Sequence, residues 1–529
     1  MTVESPPTAS VRADAGVSDG ELERLAGRVD TEGSETITVR APATDEEIGT
    51  VPSCTPEDVE AAVERARRAG AAWAETPIEE RADVLRRFGA LALDRRSSLL
   101  DLIQLETAKA RGDAAEEVLD IPLSCTYYAE EGPGIIAEER RQAGIPLATT
   151  ARVTHDPVGV VGVISPWNFP LVLSMTDVIP ALLAGNAVVL KPDEKTPFIA
   201  LRMAALLEEA GLPPGVFQVV TGEGARLGGP LVDAVDYVAF TGSTETGRIV
   251  AERAGRNLID CSLELGGKNP MIVLEDADIG ETVRGAIQGC FTNAGQLCLS
   301  AERMYVHEAI YDEFLDAFVE AVAGMTVGTD LEYGVDMGSL IDEAQLERVE
   351  AHVADARERG ATVHTGGTAL PDVGPYCYAP TVLSDLPRDA TAACEETFGP
   401  VVALHPVPDV ETAIELANDS PYGLNASVWT GDRSRGLAVA REIECGGVGI
   451  NDVYAAGWAS LDSPMGGWKD SGVGRRQGPE GLLRYTESRT IATSRIGPLD
   501  TPPGVPERWW TRCLAGVTRV QRHLQKYRP

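Results

Sequence analysis

Residues 158–197 read VGVVGVISPWNFPLVLSMTDVIPALLAGNAVVLKPDEKTP, and the fold is decided there. Two short β-branched runs, VGVVGVIS and AVVLKP, flank the helical pattern SMTDVIPALLAG. A second helix opens at Thr196-Pro197, closes at Gly211 and leads into a third run, VFQVVTG. Strands alternating with helices of this length imply right-handed βαβ crossovers and a parallel sheet. GEGARLGGPLVD, AVDYVAFTGS and TETGRIVAERAG extend the same sheet. No short-period repeat suggests a solenoid. Ligands on open α/β sheets sit at the carboxyl ends of the strands. Two glycine groups stand where a strand becomes a helix, GEG at 222–224 and TGSTETG at 241–247. Neither is the strict GxGxxG dinucleotide fingerprint, so each alone also fits a structural turn.

Upstream, TPEDVEAAVERARRAGAAW offers Thr55 as a cap, Pro56 at the first helical position and Glu57 and Asp58 in the first turn. Apolar periodicity from Pro77 to Ile136 continues a helical layer, with a break expected at Gly132-Pro133-Gly134. The first residues are rich in Ser, Thr, Pro and Asp and read as a polar leader over 1–32, open to disorder. MTVESPPTAS shows no basic region followed by an apolar core, so no secretion signal is read there. Downstream of Leu263 a second α/β region runs to about Ile443, with strand candidates ERMYVH and VVALHPV and the helix DEAQLERVEAHVADARERG. Leu171 to Leu190 is long and apolar, but Asp177, Pro180, Gly185 and Asn186 make it a buried helix and strand rather than a membrane span.

The 529 residues carry 46 Lys+Arg against 81 Asp+Glu, a formal charge of −35, with 43% apolar residues. That is a large globular composition of about three domains. Such a surface repels phosphodiester backbones and anionic lipid, so neither nucleic acid nor a membrane is the expected partner of the body. Only six residues are lysine, at 109, 191, 195, 268, 469 and 526. Acid-rich and lysine-poor suggests a halophilic source, because carboxylates stay hydrated and salt screens their repulsion. Nine cysteines at scattered spacings, with no CxxC pair, argue against a disulfide framework and a zinc site. Reduced thiols in a cytoplasmic protein, with no metal, are expected.

Four separated motifs bear chemistry: PWNFP at 166–170, KPDEKTP at 191–197, ELGGK at 264–268 and GQLC at 295–298. With EETFGP at 395–400 and PMGGWKDSGVGRR at 464–476, in that order, the chain resembles the aldehyde dehydrogenase superfamily from about Gly33 to Ser494. The resemblance implies an α/β fold with a Rossmann-like nucleotide domain (33–138 and 158–262), an α/β catalytic domain (263–445) and a small β oligomerisation flap (139–157 and 482–496). Residues 446–481 would form a return segment with an active-site loop, and 497–529 a C-terminal extension. Family members assemble through the flap, so a homodimer or homotetramer is expected.

A thiolate attacks a carbonyl well and later leaves well from a thioester, and Cys298 holds the nucleophile position of the family motif. Attack creates an oxyanion, for which the family pattern supplies the Asn168 amide and the Cys298 backbone N–H. Glu264, 34 residues before Cys298, matches the base that activates water to hydrolyse the thioester. Its retention favours a free carboxylic acid as product. Lys191 is expected to help hold the catalytic geometry, with Lys268 a lesser candidate.

For the cofactor, the resemblance sets the adenosine ribose against Lys191 and Glu194, the pyrophosphate near Trp167 and Ser243, and the nicotinamide ribose against Glu396 with Phe398 beside it. Ile164, Ser165, Pro166, Asn168, Gly222, Gly242 and Leu265 complete the expected cofactor contacts. A carboxylate accepts ribose hydroxyls but repels a 2′-phosphate, so Glu194 favours NAD, while Lys191 and Lys195 keep NADP possible.

CSLELGGKNPMIV, GQLCLSAERMYV and GVGRRQGPEGLLRYTESRTIA look like a bacterial-type succinate-semialdehyde dehydrogenase. That substrate ends in a carboxylate, yet Thr292 stands where better-known members carry an arginine. Asn168, Cys298 and Ser460 are the substrate-binding candidates. A broad-specificity aliphatic or betaine aldehyde dehydrogenase is the alternative. A non-catalytic cofactor-binding protein on the same scaffold is the different-class alternative, against which intact Cys298, Glu264 and Asn168 speak. The tail PERWWTRCLAGVTRVQRHLQKYRP has six Arg or Lys after Glu507, and Cys513, Val517, Val520 and Leu524 recur at helical spacing. Its apolar stripe is expected to meet the acidic body or a neighbouring subunit, ahead of a membrane surface.

Overall fold

The computed structural model describes residues 15–142, 145, 148–495 and 497–525. Strands Val160–Ile164, Ala187–Lys191, Phe217–Val219, Tyr237–Thr241 and Asp260–Glu264 form a parallel sheet. Their spatial order is third, second, first, fourth, fifth, with Gly472–Val473 antiparallel on the far edge. The chain therefore reverses its winding between Val160–Ile164 and Tyr237–Thr241. The crevice at that switch point opens at the strands' carboxyl ends, over Ser165–Trp167 and Gly242–Ser243.

A second sheet has seven strands in the order Thr362–Thr365, Thr381–Ser384, Val401–Val407, Ala301–His307, Asn269–Val273, Asn425–Trp429 and Gly447–Ile450. All pairs are parallel except the first. Strand Asp260–Glu264 belongs to the first sheet and Asn269–Val273 to the second, so Glu264 sits on the chain just before it passes between them. Gly447–Ile450, placed by the sequence reading in a return segment, completes the second sheet. The two glycines of its GVGI sequence weaken the strand signal of Val448 and Ile450. A third, antiparallel sheet joins Glu139–Arg141, Thr149–Pro157 and Thr486–Ser494 and is largely exposed. Residues 482–483 still belong to the helix Gly478–Leu483.

Helix Pro170–Ala184 is buried at every position. Phe169, Val172 and Leu173 join the core of the second sheet, while Leu171, Met175, Val178 and Ile179 join the core of the first. One helix thus ties the two cores together immediately after PWNF.

Two expectations change. The described part of the 1–32 leader is packed: helix Asp19–Ala26 buries Leu22 and Leu25, and Ala15, Val17 and Val29 are also inside. A two-residue apolar stripe amid acids is enough to dock one short helix; residues 1–14 lie outside the described residues. The expected break near Gly132-Pro133-Gly134 falls at the far edge of that triplet: the helix Arg111–Ile135 runs through it and ends one residue later. Proline at 133 leaves the carbonyl of Ala129 without its helical donor, and the Arg86 guanidinium donates to that oxygen at 3.0 Å. A Cβ on Gly132 would meet Leu183 Cδ2 at 2.3 Å, so a larger residue there would displace that side chain. The Thr55 cap is as read, with Thr55 Oγ1 accepting from the Asp58 N–H and Asp58 Oδ2 from the Thr55 N–H.

Candidate active site

A cleft of about 190 Å³ lies at the switch point. Its walls bring together Pro166, Trp167 and Asn168 after the first strand, Gly242 and Ser243 after the fourth, Glu264 and Leu265 after the fifth, and Cys298, Glu396 and Phe398 from the second sheet's region. Gln345 and Arg348, which no motif flagged, also line it. A second, mainly apolar cavity is lined by Phe169, Val172, Leu173, Leu297, Leu299, Tyr454, Trp458 and Glu116. Cys298 lines both, so the thiol stands where the two spaces meet.

The loop carrying Cys298 is strained. Asn293 and Ala294 have φ of 52° and 55°, followed by Gly295 at 71°. A Cβ on Gly295 would meet the Gly399 carbonyl at 2.1 Å, so only glycine fits. Buried hydrogen bonds hold this conformation. Gln296 Nε2 donates to the Asn293 and Ser339 carbonyls, its Oε1 accepts from the Ile341 N–H, and the Asn293 N–H donates to Asp113 Oδ2. Asn168 is tied into the same network: its Nδ2 donates to the Gln296 carbonyl at 3.0 Å, and its own carbonyl accepts from Asn293 Nδ2 and Lys109 Nζ. Lys109 pairs with Glu117 at 2.7 Å, both side chains being fully buried. Glu117 in turn accepts the N–H groups of Leu171 and Val172 at the first turn of the bridging helix. The sequence reading missed this ion pair; its one signal was a lysine in a chain with six.

Glu264 is buried, and among the described residues neither carboxylate oxygen has a hydrogen-bond partner. Burial pushes its pKa up to about 7, against the pull of Arg476. A Cβ on Gly466 would lie 3.1 Å from Glu264 Oε1, so the PMGGWK loop leaves room beside the carboxylate. Burial, then Glu396 and Glu264, push the Cys298 thiol up to about 12. The Cys298 thiol, the candidate nucleophile, and the Glu264 carboxylate line the same cleft.

On the cofactor side, helix Thr244–Asn257 begins at the cleft with Ser243 as its cap, accepting from the Thr246 N–H. Its free N–H groups and dipole suit a pyrophosphate. Glu396 Oε1 accepts the Gly267 N–H at 2.9 Å, and burial and Glu302 push its pKa up to about 7. Phe398 has φ of 56° and meets Trp167 edge to face at 5.6 Å. Glu302 holds that turn by accepting the N–H groups of Thr397 and Phe398, and Lys268 is its buried ion-pair partner. Lys268 therefore acts on the cleft through Glu302. These donors and carboxylates fit a nicotinamide dinucleotide.

Several candidates fall outside the cleft. Lys191 Nζ is bound to Glu194 Oε2 at 3.0 Å, beside the Gly222–Gly224 turn, where a Cβ on Gly224 would lie 3.5 Å from the ammonium. Lys191 thus stands with Glu194 and Gly222 at the neighbouring strand ends rather than with Cys298. Ile164 ends the first strand, and the Ser165 hydroxyl is engaged by Ser174. Ser460 does not reach either cavity; it is exposed, with its hydroxyl donating to the Ala456 carbonyl. Thr292 is turned toward the Tyr454 hydroxyl, 3.1 Å away, and that hydroxyl donates to Glu116 at 3.0 Å. Among the described residues no cluster of His, Cys, Asp and Glu could hold a metal, and no helix is long and apolar enough to cross a membrane.

Residues 29–491 match the model of the aldehyde dehydrogenase family. The chain is 50% identical over 499 residues to a protein of Mycobacterium ulcerans named putative succinate-semialdehyde dehydrogenase (NADP+) 2, covering 94% of this chain and 96% of that one. Among solved structures it resembles an Escherichia coli NADP-dependent enzyme, with a TM-score of 0.85, 38% identity and 88% and 96% of the two chains covered. It also resembles betaine aldehyde dehydrogenase of Staphylococcus aureus in complex with NAD+, with a TM-score of 0.85, 33% identity and 90% and 97% covered. With Cys298, Glu264 and the switch-point cleft where the family motifs place them, and with this match over most of its length, the chain belongs to the aldehyde dehydrogenase family, whose chemistry is NAD(P)-dependent oxidation of an aldehyde.

Proposed function

We propose that the chain oxidises succinate semialdehyde to succinate with NADP+ in preference to NAD+, working as a homo-oligomer in a salt-rich cytoplasm. The observation that carries the chemistry is the position of Cys298, at the junction of the cofactor cleft and the apolar cavity and in one cleft with the unpartnered carboxylate of Glu264. An aldehyde entering through the apolar cavity presents its carbonyl to Cys298 Sγ. Glu264, with a pKa near neutrality, takes the thiol proton as the C–S bond forms. Asn168 Nδ2 spends one N–H on Gln296, and its second, with the Cys298 backbone N–H, stabilises the oxyanion. The nicotinamide dinucleotide, when bound, supplies the acceptor for the hydride that leaves the substrate carbon. Glu264 then loses that proton to solvent, removes a second one from the water that attacks the thioester and returns it to the departing thiolate, so that the acid is released and the thiol restored.

The cofactor preference departs from the one Glu194 suggested. Its carboxylate is bound to Lys191, so its repulsion of a 2′-phosphate is offset, and Lys195 is close by, 3.0 Å from Asp342 and 5.4 Å from the Trp167 ring. The naming of the mycobacterial relative supports the same choice.

A second substrate reading has its own observation. The apolar cavity is lined by Glu116, whose carboxyl burial pushes up, beside Tyr454, Trp458 and Phe169, and no cationic side chain among the described residues lines it. That lining suits an uncharged or cationic distal group, as in betaine aldehyde, through carboxylate and ring-face attraction. Initial rates with succinate semialdehyde, betaine aldehyde and a short aliphatic aldehyde, each with NADP+ and NAD+ at high KCl, decide between them. A kcat/KM advantage of about tenfold for succinate semialdehyde, about 1.4 kcal/mol of transition-state binding, upholds the first reading. A matching advantage for betaine aldehyde replaces it with the second.

A further inference from the structure

The helix Glu507–Gln525 lies beyond the residues that match the family and plays no part in the cleft. Glu507 is its last acid; the chain after it carries Arg508, Arg512, Arg519, Arg522, Lys526 and Arg528. At about 100° per residue, Trp509, Trp510, Cys513, Leu514, Val517 and Val520 fall within one arc of about 140°. Arg508, Arg512, Arg519 and Arg522 fall within about 80° on the opposite side. The apolar arc is not packed into the body: Trp509 is 55% exposed and Val520 61%.

We infer that this helix docks reversibly in the headgroup layer of an anionic lipid bilayer. A large apolar arc opposed by an arginine arc, with low overall hydrophobicity and tryptophans at one end, is the pattern of a helix lying in the interface plane. The apolar arc sinks to the acyl boundary while the arginine stems reach outward to lipid phosphates. Trp509 and Trp510 suit the interface because each ring is apolar with one polar edge. Charge complementarity names the lipid class: this is the cationic segment of a chain whose net charge is −35. The body's repulsion from the same lipids is limited by screening over about 8 Å at 0.15 M salt, and over a shorter range in the salt-rich cytoplasm proposed above. The linker GPLDTPPGVP, residues 497–506, spaces the helix from the last flap strand, Thr486–Ser494.

A second copy of the chain is the competing occupant. A protein surface would meet only the apolar arc, whereas a helix sunk in a headgroup layer is surrounded by phosphates that the arginine stems reach.

The test uses the full-length protein, sedimented with vesicles of phosphatidylcholine alone or mixed equally with phosphatidylglycerol, at the lowest KCl that retains activity. Binding to the anionic vesicles about tenfold or more above the neutral ones is expected, because each basic residue near an anionic leaflet adds to the attraction. The V517E/V520E double variant should lose that binding while keeping its NADP-linked aldehyde oxidation and its mass by light scattering. Absence of vesicle binding, or equal binding to both vesicle types, overturns the inference. A fall in mass for the variant also overturns it, because the arc would then be docked on a second copy.

Discussion

Glu264 is poised by what it lacks. A carboxylate with two unpartnered oxygens in a buried cleft is costly to ionise, so its pKa rises toward 7. The base must be deprotonated to accept a proton, so kcat should climb as pH passes through about 7 and level off above it. Glu264→Gln should abolish that limb and lower kcat by about 10²–10⁴, as measured by steady-state rates across pH. Glu116 makes the complementary case on the substrate side. If its charge opposes a distal carboxylate, Glu116→Gln should raise kcat/KM for succinate semialdehyde about five- to tenfold, the effect of a like-charge cost of about 1–1.4 kcal/mol, near the water-screened end of the range for charges a few ångströms apart. The same substitution should lower kcat/KM for betaine aldehyde, and the ratio of the two substrates is the measurement.

At the scale of elements, two buried ion pairs shape the two sides of the cleft. Lys109–Glu117 locks the start of the bridging helix to Asn168 and, through Asn293, to the nucleophile loop. Lys109→Met leaves Glu117 as an uncompensated buried carboxylate and should cost about 3–5 kcal/mol of unfolding free energy, read by denaturant titration. Lys268–Glu302 holds the 396–398 turn, including the left-handed Phe398. Glu302→Gln removes the charge that both backbone N–H groups donate to, so it should raise KM for the dinucleotide more than KM for the aldehyde. Two-substrate kinetics separate these effects.

At the scale of the whole molecule, 81 acidic against 46 basic residues leave a strong self-repulsion in the compact state. Salt shortens its range from about 10 Å at 0.1 M to about 3 Å at 1 M. The thermal midpoint should therefore rise steadily between 0.1 and 2 M KCl, followed by calorimetry; a flat or falling profile would remove the high-salt reading. The exposed three-stranded sheet bears on assembly. Ile491 is 44% exposed on Thr486–Ser494, an edge strand of that sheet, and Ile491→Asp should lower the oligomer mass in light scattering if the flap is the subunit interface.

Local pattern and motif spacing determined a good deal without any coordinates. The alternation of β-branched runs with helices specified a parallel sheet, because side-chain period and element length are local properties of the chain. Cys298, Glu264, Asn168, Glu396 and Phe398 were legible because each sits in a motif quoted with its neighbours, and they do line one cleft. The tertiary structure alone decided what depends on partners distant in sequence. The helix Arg111–Ile135 ends two residues past Pro133, and Arg86 donates to the Ala129 carbonyl that the proline cannot serve. Lys191 is drawn to Glu194 rather than to Cys298, and Ser460 turns to its own helix. The lining of the substrate cavity, with Glu116, Tyr454 and Trp458 drawn from segments more than three hundred residues apart, follows from packing and is not written in any single stretch. The physical reason is that pairing and burial energies belong to contacts between elements, whereas periodicity, capping and motif chemistry belong to neighbours along the chain.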